Sequence, residues 1–219
     1  MITDLLARDD DRFSERRIAG VVVGVVTNNK DPDGMGRVKV KFPWREESDE
    51  SHWARVATLM AGKKRGAFFL PEVGDEVLVA FEHGDIHYPY VLGALWNGVD
   101  GPPETNAGGK NNIRKIRSRS GHEIIFCDDA ENGREKVEVR TAAGHSVLLD
   151  DTKGEERIEV VDKTGENAIR IDSVQNSITI ESAMNLKIKG QMVEIEAGGM
   201  MTVKAGATMT IQGALVKIN

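Results

Sequence analysis

Between residues 18 and 96, short runs of β-branched and other apolar residues are separated by clusters of Gly, Pro, Asp and Asn. Such runs predict β-strands, and the clusters between them predict turns. Residues 37–44 (RVKVKFPW) alternate basic and apolar side chains, which is typical of a half-buried strand. The predicted strands cover residues 18–27, 37–44, 53–59, 67–70, 76–81 and 91–96.

Strands this short and this closely spaced predict a small closed β-barrel, and the OB-fold is the commonest barrel of this size. We therefore place an OB-fold barrel at residues 18–97, after an N-terminal leader at 1–17. Residues 98–112 are dense in Gly, Pro and Asn and predict a linker. Residues 113–219 then form a second β region with a different repeat.

In that second region, apolar–polar–apolar triads have centres 9, 8, 7, 8, 8 and 7 residues apart. Each triad predicts a short strand with two inward side chains. Four glycines each stand three residues before a triad and predict the turn into it, namely Gly190, Gly198, Gly206 and Gly213. The predicted inward residues are Ile169, Ile171, Ile178, Ile180, Leu186, Ile188, Val193, Ile195, Met201, Val203, Met209, Ile211, Val216 and Ile218.

Eight residues supply only one face of a β-coil, whereas a coil built by a single chain needs about 18 residues around three faces. The repeat therefore predicts three chains wound around a shared axis, each giving one face at every level. The inward side chains then meet on the axis, and open strand edges, which promote aggregation, remain only at the ends. At about 4.8 Å per stacked strand, the triads would build a prism about 34 Å long.

A looser repeat precedes the triads. Residues 121–128 (GHEIIFCD) recur as 144–151 (GHSVLLDD), and residues 137–139 and 158–160 are triads of the same type. We expect longer strand pairs here. From Cys127 to Asn219 the chain has neither an aromatic residue nor a proline. Such an interior is predicted to be narrow, because rings fill wide cores, and its backbone can donate every ladder hydrogen bond.

Charge and cysteine content exclude several classes of protein. The chain has 29 basic and 35 acidic residues, a net charge of -6, which argues against nucleic acid as the main partner. Its one cysteine, Cys127, excludes an internal disulfide and a cysteine-based zinc site. No apolar run is long enough for a transmembrane helix, and the first residues lack the apolar segment of a signal peptide. We expect a protein made in the bacterial cytoplasm.

Some residues allow both a functional and a structural interpretation. Asp31 and Asp33 resemble the start of a calcium loop, but Met35 takes the next ligand position, so a turn is favoured. His122 and His145 begin equivalent repeats and could bind a metal on a trimer axis. Hydrogen-bonding or surface roles are favoured for both.

Two polar clusters in the barrel are interpreted in the same way. The acidic loop of Glu46, Glu47, Asp49 and Glu50 favours a solvated turn over paired catalytic carboxylates. Arg37, Lys39 and Lys41 lie on one strand near Trp44 and could bind an oligonucleotide, but pairing with a neighbouring subunit is favoured. We expect no catalytic site, metal or cofactor, and a packing role for Cys127.

Several motifs, taken in order, resemble one known family. They are GRVKVKFPW at 36–44, SHWARVA at 51–57, FLPEVGDEVLV at 69–79, Gly84-Asp85, PYVLGALW at 89–96, IRSRSGHEIIFCDD at 116–129 and KGEE at 153–156. The set resembles the central spikes of contractile injection systems, which include phage baseplate assembly protein V and the VgrG spikes. The resemblance covers residues 18–219. It implies an all-β chain, with an OB-fold barrel followed by an intertwined trimeric triple-stranded β-helix (a β-prism).

The resemblance also implies partners. VgrG proteins carry a hub domain before the barrel, and here about 17 residues precede it, so we expect a separate hub protein at the barrel end. The lysozyme domain that T-even spikes insert before the prism is replaced by the linker. The His-x-His iron site of some members is absent, so a PAAR-type tip protein is expected at Val216, Lys217, Ile218 and Asn219.

The function implied is structural and not enzymatic. The trimer would join the hub to the tip in a phage tail, a type VI-like system or an extracellular contractile particle. It would pierce the target envelope when the sheath contracts. The alternatives are an OB-fold protein that binds nucleic acid or carbohydrate and has a trimeric β stalk, and a wall hydrolase carried on a spike.

Overall fold

The computed structural model describes residues 17–46 and 49–218, which form an all-β structure. The chain divides into two compact units, Met1–Ala107 and Gly108–Asn219. The one helical segment in the described ranges is a single 3-10 turn at Glu82–Gly84. Residues 1–16 of the predicted leader, Glu47 of the acidic loop and Asn219 of the predicted tip lie outside the described residues.

The first unit is a closed barrel. Its strands are β1 (Val21–Asn28), β2 (Lys39–Lys41), β3 (Arg55–Val56), β4 (Ala61–Gly62), β5 (Arg65–Gly66), β6 (Glu76–Phe81) and β7 (Pro89–Ala94). Five of them form a sheet in the order β2-β1-β6-β7-β3, with β3 and β7 parallel. Val38 and Ala54 exchange backbone hydrogen bonds of 3.0 and 2.7 Å, which joins the two ends of the sheet. The predicted OB-fold barrel is confirmed.

The barrel core consists of small and β-branched side chains. Along β6, intermediate and buried residues alternate, so Val77, Val79 and Phe81 point inward. The remaining buried apolar residues of the core are Val26, Val38, Val40, Phe42, Ala54 and Val91. Gly24 lies over this core, and a Cβ atom built on it would be 2.3 Å from Cγ1 of Val40. Only glycine therefore allows β1 to approach β2 this closely.

Two predicted barrel strands differ from the structure. Residues 67–70 are not a strand. The hairpin of β4 and β5 precedes them, with Lys64 at its tip in the left-handed region (φ 55°). The strand predicted at 53–59 is only two residues long. Ala57 N–H still donates to Val91 O of β7, and the chain then turns towards the β4–β5 hairpin, where the Thr58 hydroxyl donates to Ala67 O.

The second unit begins with a seven-stranded antiparallel sheet. Its strands are β8 (Ile113–Arg117), β9 (Glu123–Asp129), β10 (Arg134–Arg140), β11 (Ser146–Asp150), β12 (Arg157–Val161), β13 (Ala168–Asp172) and β14 (Ser177–Glu181). Every strand pairs only with its neighbours in sequence, so the sheet is a simple meander. The predicted longer strand pairs between barrel and triads are therefore present.

The triad prediction needs a correction at its start. Ile169 pairs with Ile180 and Ile171 with Ile178, so the first two triads form an antiparallel hairpin of one chain. They do not stack as successive coils. The other five triads, within residues 186–218, lie outside any strand of the single chain. The backbone bends at 191–192, 198–199, 206–207 and 214, each time next to a predicted turn glycine. None of these four glycines has a positive φ, so left-handed backbone is not what they provide.

One face of the meander is charged and held by ion pairs between adjacent strands. Glu123 on β9, whose side chain is 5% exposed, accepts a hydrogen bond of 2.6 Å from Nε of Arg140 on β10. Arg157 on β12 lies 3.1 Å from Asp150, and Arg170 on β13 lies 2.5 Å from Glu181. Pairs of opposite charge placed across strands stabilise a sheet. The hydrogen bond from Arg140 lowers the pKa of Glu123.

The close approach at Gly24 gives a first prediction. Gly24→Ala should lower the free energy of unfolding of the barrel by about 1–3 kcal/mol, because the added methyl group overlaps Val40. The matched control is Gly93→Ala in β7, where a Cβ meets no atom within 4 Å. Denaturant unfolding can be followed by tryptophan fluorescence, because Trp44, Trp53 and Trp96 all lie in the first unit. Equal stability of the two variants would contradict the packing described.

The ion pair at Glu123 gives a second prediction. Because the pKa of Glu123 is lower in the folded than in the unfolded chain, its contribution is present above the ordinary value of 4.5 and is lost as the pH falls below it. Glu123→Gln should therefore lower the thermal unfolding midpoint at neutral pH and weaken its fall on acidification. Glu166→Gln, at an exposed turn, is the control. A variant with the wild-type pH profile would refute this role.

Candidate assembly surface

The face of the meander opposite Glu123 and Arg140 carries a band of apolar side chains that reaches all seven strands. Strand register places its side chains in two rows that run perpendicular to the strands. The first row is Phe126, Val137, Leu149, Ile158, Ile171 and Ile178. The second row is Ile116, Ile124, Val139, Val147, Val160, Ile169 and Ile180. We call these two rows the apolar stripe.

A single chain leaves the apolar stripe uncovered. Apart from the half-buried Val137, its members are 37–70% exposed. The only buried apolar residues described in the second unit are Ile125 and Ala168, and neither belongs to the stripe. An exposed apolar surface of this extent marks a contact with another molecule. In the first row, β8 contributes Arg114 opposite Phe126, where it pairs with Asp128, and every other position of the two rows is apolar. What the face offers a partner is therefore mainly burial of apolar surface.

The five remaining triads also expose apolar side chains. All of their predicted inward residues, from Leu186 to Ile218, are exposed in the single chain. Between described residues, no backbone hydrogen bond involves 186–218. Unpaired backbone groups next to apolar side chains need partners if they are to be removed from water. The predicted tip residues Val216, Lys217 and Ile218 are exposed as well.

The two candidate histidines bind backbone of the following turn. The Nδ1 atom of His122 accepts the N–H of Ala142 at 3.2 Å, and Nδ1 of His145 accepts the N–H of Lys163 at 3.2 Å. Both rings are exposed. The hydrogen-bonding interpretation is therefore confirmed for both residues, and accepting through Nδ1 requires that this nitrogen carry no proton.

Asn167 occupies the same position in the next turn, which the sequence repeat did not indicate. Its Oδ1 accepts the N–H of Ala183 at 3.1 Å, as the histidine nitrogens do one and two turns earlier. In that turn the carboxylate of Asp162 accepts from the Asn167 amide and the Thr164 hydroxyl. These hydrogen bonds, that of Asn167 first, lower the pKa of Asp162 to about 2. Successive turns of the meander are thus linked along one edge of the sheet.

Asp31 organises a turn and not a cation site. Its side chain is 3% exposed and accepts hydrogen bonds from Arg37 Nε at 2.9 Å and Nη2 at 2.6 Å. The backbone N–H groups of Asp33, Met35 and Arg37 bond to the same carboxylate. The Arg37 guanidinium holds the pKa of Asp31 well below its usual range. The turn prediction is confirmed, and Arg37 occupies the position that a cation would take.

The basic strand of the barrel makes its ion pairs within the chain. Lys39 lies 2.9 Å from Glu50, and both Arg37 and Lys39 lie over the ring of Trp53 at 5.8 and 5.7 Å. Arg37 and Lys39 therefore have carboxylate partners within the chain, and their pairing with a neighbouring subunit stays a prediction. Phe42, and not a cation, stacks on Trp44, with ring centroids 5.4 Å apart.

The described carboxylates and the cysteine have structural contacts. Asp49 pairs with Arg45, and Glu50 pairs with Lys39, so these two residues of the acidic loop stabilise the loop. The Cys127 thiol is half-buried and donates to the carbonyl of Arg134 at 3.3 Å. Within residues 17–46 and 49–218, no three His, Cys, Asp or Glu side chains are arranged to hold a metal ion.

The apolar stripe extends further towards the N-terminus than the predicted set of inward residues. The stripe begins at Ile116, whereas the prediction began at Ile169. The triads at 137–139 and 158–160 were a usable signal, because each contributes one residue to each row. Phe126 lies just before the ring-free range of Cys127 to Asn219, so the expectation of a narrow interior did not extend to it. None of the described helices is long and apolar enough to cross a membrane.

Known proteins match both the barrel and residues beyond it. Residues 22–96 match the family described as the type VI secretion system/phage-baseplate injector OB domain. The type VI secretion system spike protein VgrG5 of Pseudomonas aeruginosa is 33% identical over 145 residues, which are 56% of this chain and 18% of VgrG5. The spike protein VgrG3 of Vibrio cholerae is 30% identical over 126 residues, 54% of this chain and 12% of VgrG3.

A third relative is named for a toxin activity. The actin cross-linking toxin VgrG1 of Vibrio cholerae is 33% identical over 113 residues, 48% of this chain and 10% of that protein. The chain thus spans less than a fifth of the length of each of these relatives. By these matches, residues 22–96 are an injector OB domain of the type VI secretion and phage-baseplate kind, and the chain is VgrG-like.

Proposed function

We propose that this chain forms a homotrimer and serves as the central spike of a contractile injection machine. The observation that carries the proposal is the apolar stripe, which crosses all seven strands of the meander in register and is left uncovered by one chain. The similarity to named spike proteins supports the same role. The trimer is a property of the second unit in this proposal, and the barrel is carried on it.

Three copies suit the stripe better than two. A stripe two side chains wide lets three sheets form a triangular prism, with each stripe facing inward and each charged face outward. Full burial of a Val, Ile or Leu side chain contributes about 1.5–3 kcal/mol, so covering a stripe of this length stabilises the assembly strongly. In residues 186–218, neighbouring chains would also supply backbone partners for the triads, as a triple-stranded β-helix requires.

The proposed partners are those that the resemblance to central spikes implies. A separate hub protein would bind at the barrel end, and a PAAR-type tip protein would cover Val216, Lys217, Ile218 and Asn219. Contraction of a sheath would drive the trimer through a target envelope, which it contacts transiently. The function is mechanical: the ladder hydrogen bonds and the axial seam would resist compression along the axis. The chain would be made in the cytoplasm and carried in a baseplate or particle.

Neither an enzyme nor a nucleic-acid-binding protein is favoured by the described residues. Two cations at the start of β2 that an OB-fold could present to a phosphate backbone, Arg37 and Lys39, bond to carboxylates and lie over Trp53. Phosphate binding needs clustered, unpaired cations, and the exposed run of Lys63, Lys64 and Arg65 stands in a unit whose described residues hold more carboxylates than cations. The toxin activity in the name of one relative belongs to a protein of which this chain covers 10%.

The first test of the proposal is the mass of the protein in solution. Light scattering should give about three times the chain mass of 24.0 kDa, and the species should resist SDS without heating. The physical reason is that separation exposes all three stripes at once. A monomer of ordinary stability at micromolar concentration would contradict the proposal.

A substitution test locates the assembly on the stripe. Ile180→Asp places a charge among apolar side chains at the trimer axis and should abolish the trimer, because an unpaired buried charge costs several kcal/mol in each chain. Thr179→Asp, on the outward face of the same strand, is the matched control and should leave the trimer intact. Ile195→Asp tests the triad region in the same way. Normal trimer yield from both isoleucine variants would show that the axis lies elsewhere.

A further inference from the structure

The barrel carries an apolar groove that its own core does not fill. The groove has a volume of about 620 Å³ and is lined by side chains of two loops and the β4–β5 hairpin. Its largest apolar members are Met35, Met60, Phe68 and Phe69, which are 53–77% exposed. Two aromatic rings and two methionines exposed together are unusual on the surface of a domain this small, and such patches mark contact sites.

The hairpin beside the groove is the strongest basic feature of the barrel. Lys63, Lys64 and Arg65 follow one another at its tip, and all three are exposed. None of them forms a salt bridge with a carboxylate in the described part of the chain. This differs from Arg37, Lys39 and Arg45, each of which is paired. The groove therefore offers apolar contact next to unpaired positive charge.

We propose that this groove is the contact between neighbouring barrels, so that its occupant is a second copy of this chain. The inference rests on the trimer proposed above. Without the three hairpin cations, the described barrel residues (18–46 and 49–97) hold ten carboxylates against six cations, so the rest of a neighbouring barrel carries the negative charge that complements the hairpin. In a C3 ring the contact is heterologous, with the groove of each barrel facing a different surface of the next.

Because each barrel is joined to its meander, even a weak contact between barrels can form in the trimer. Each barrel ends its last strand at Ala94, and the meander of the same chain starts at Ile113. Once three meanders have assembled, the barrels are held at an effective concentration on the order of millimolar. A contact too weak to join free barrels then forms within the trimer, and the groove residues lose their exposure to solvent.

Methionine oxidation tests this directly, because the chain carries its own reference residues. Met192 and Met200 each precede the first inward residue of a triad, so they face outward in the proposed trimer, while Met201 and Met209 face the axis. The purified full chain is treated with hydrogen peroxide, and sulfoxide at each methionine is followed by mass spectrometry. We expect Met35 and Met60 to react about tenfold more slowly than Met192 and Met200.

The oxidation rates of the groove and axial methionines distinguish the groove contact from the trimer itself. Slow Met201 and Met209 with fast Met35 and Met60 overturns the groove contact and leaves the trimer standing. If the axial methionines also react fast, the trimer itself fails. In the Ile180→Asp variant, loss of the trimer should bring Met35 and Met60 up to the rate of Met200. Protection that survives in a monomer would mean that the chain covers its own groove, which also overturns the proposal.

A variant of the groove completes the design. Phe68→Ser should raise the oxidation rates of Met35 and Met60 about tenfold and leave Met201 and Met209 slow. Val99→Ser, at an exposed apolar residue outside the groove, is the matched control and should change neither pair. If the wild-type groove is reactive in the protein alone but becomes protected on vesicles of phosphatidylcholine and phosphatidylglycerol, the occupant is a lipid surface and the proposal is wrong.

Discussion

The constraint on which the second unit depends is that its sheet has one apolar face, which the other described residues of that unit leave exposed. The two faces of this sheet differ in how they can be stabilised. The opposite face satisfies its charges by pairing across strands, as at Glu123 and Arg140, so it is stable in water as it stands. The apolar stripe has no such solution. A single-layer sheet with one apolar face lacks the second layer that would bury this face. Further copies of the same chain, related by symmetry, are the simplest source of that layer.

The two units solve the same problem in different ways. The barrel closes on itself through Val38 and Ala54, so its inward side chains are buried by the chain that carries them. The meander stays open, and its burial is left to assembly. Closure also explains why the barrel tolerates a groove lined by Phe68 and Phe69, since its stability does not depend on covering them. What the barrel exposes is available for contact.

Much of this architecture could be predicted from the sequence, and the failures have physical reasons. Alternation along Glu76–Phe81 predicted β6 to the residue, because one face of that strand is fully buried. The β4–β5 hairpin was missed because Ala61–Gly66 has no apolar alternation and depends on the left-handed conformation of Lys64. The start of the stripe was missed because row membership depends on register between strands, which periodicity within one strand does not reveal. The pairing of Glu123 with Arg140 could not be predicted for the same reason.

The strictly sequential pairing of the meander has a consequence for synthesis. Each strand bonds only to the strands just before and after it, and the His122, His145 and Asn167 side chains link each turn to the next one. Contacts this local form quickly, so a nascent chain can complete its sheet before residues 186–218 leave the ribosome. In the proposed trimer, three such sheets would then meet already folded, and only afterwards would the remaining segments wind together, which would keep the chains from threading through one another.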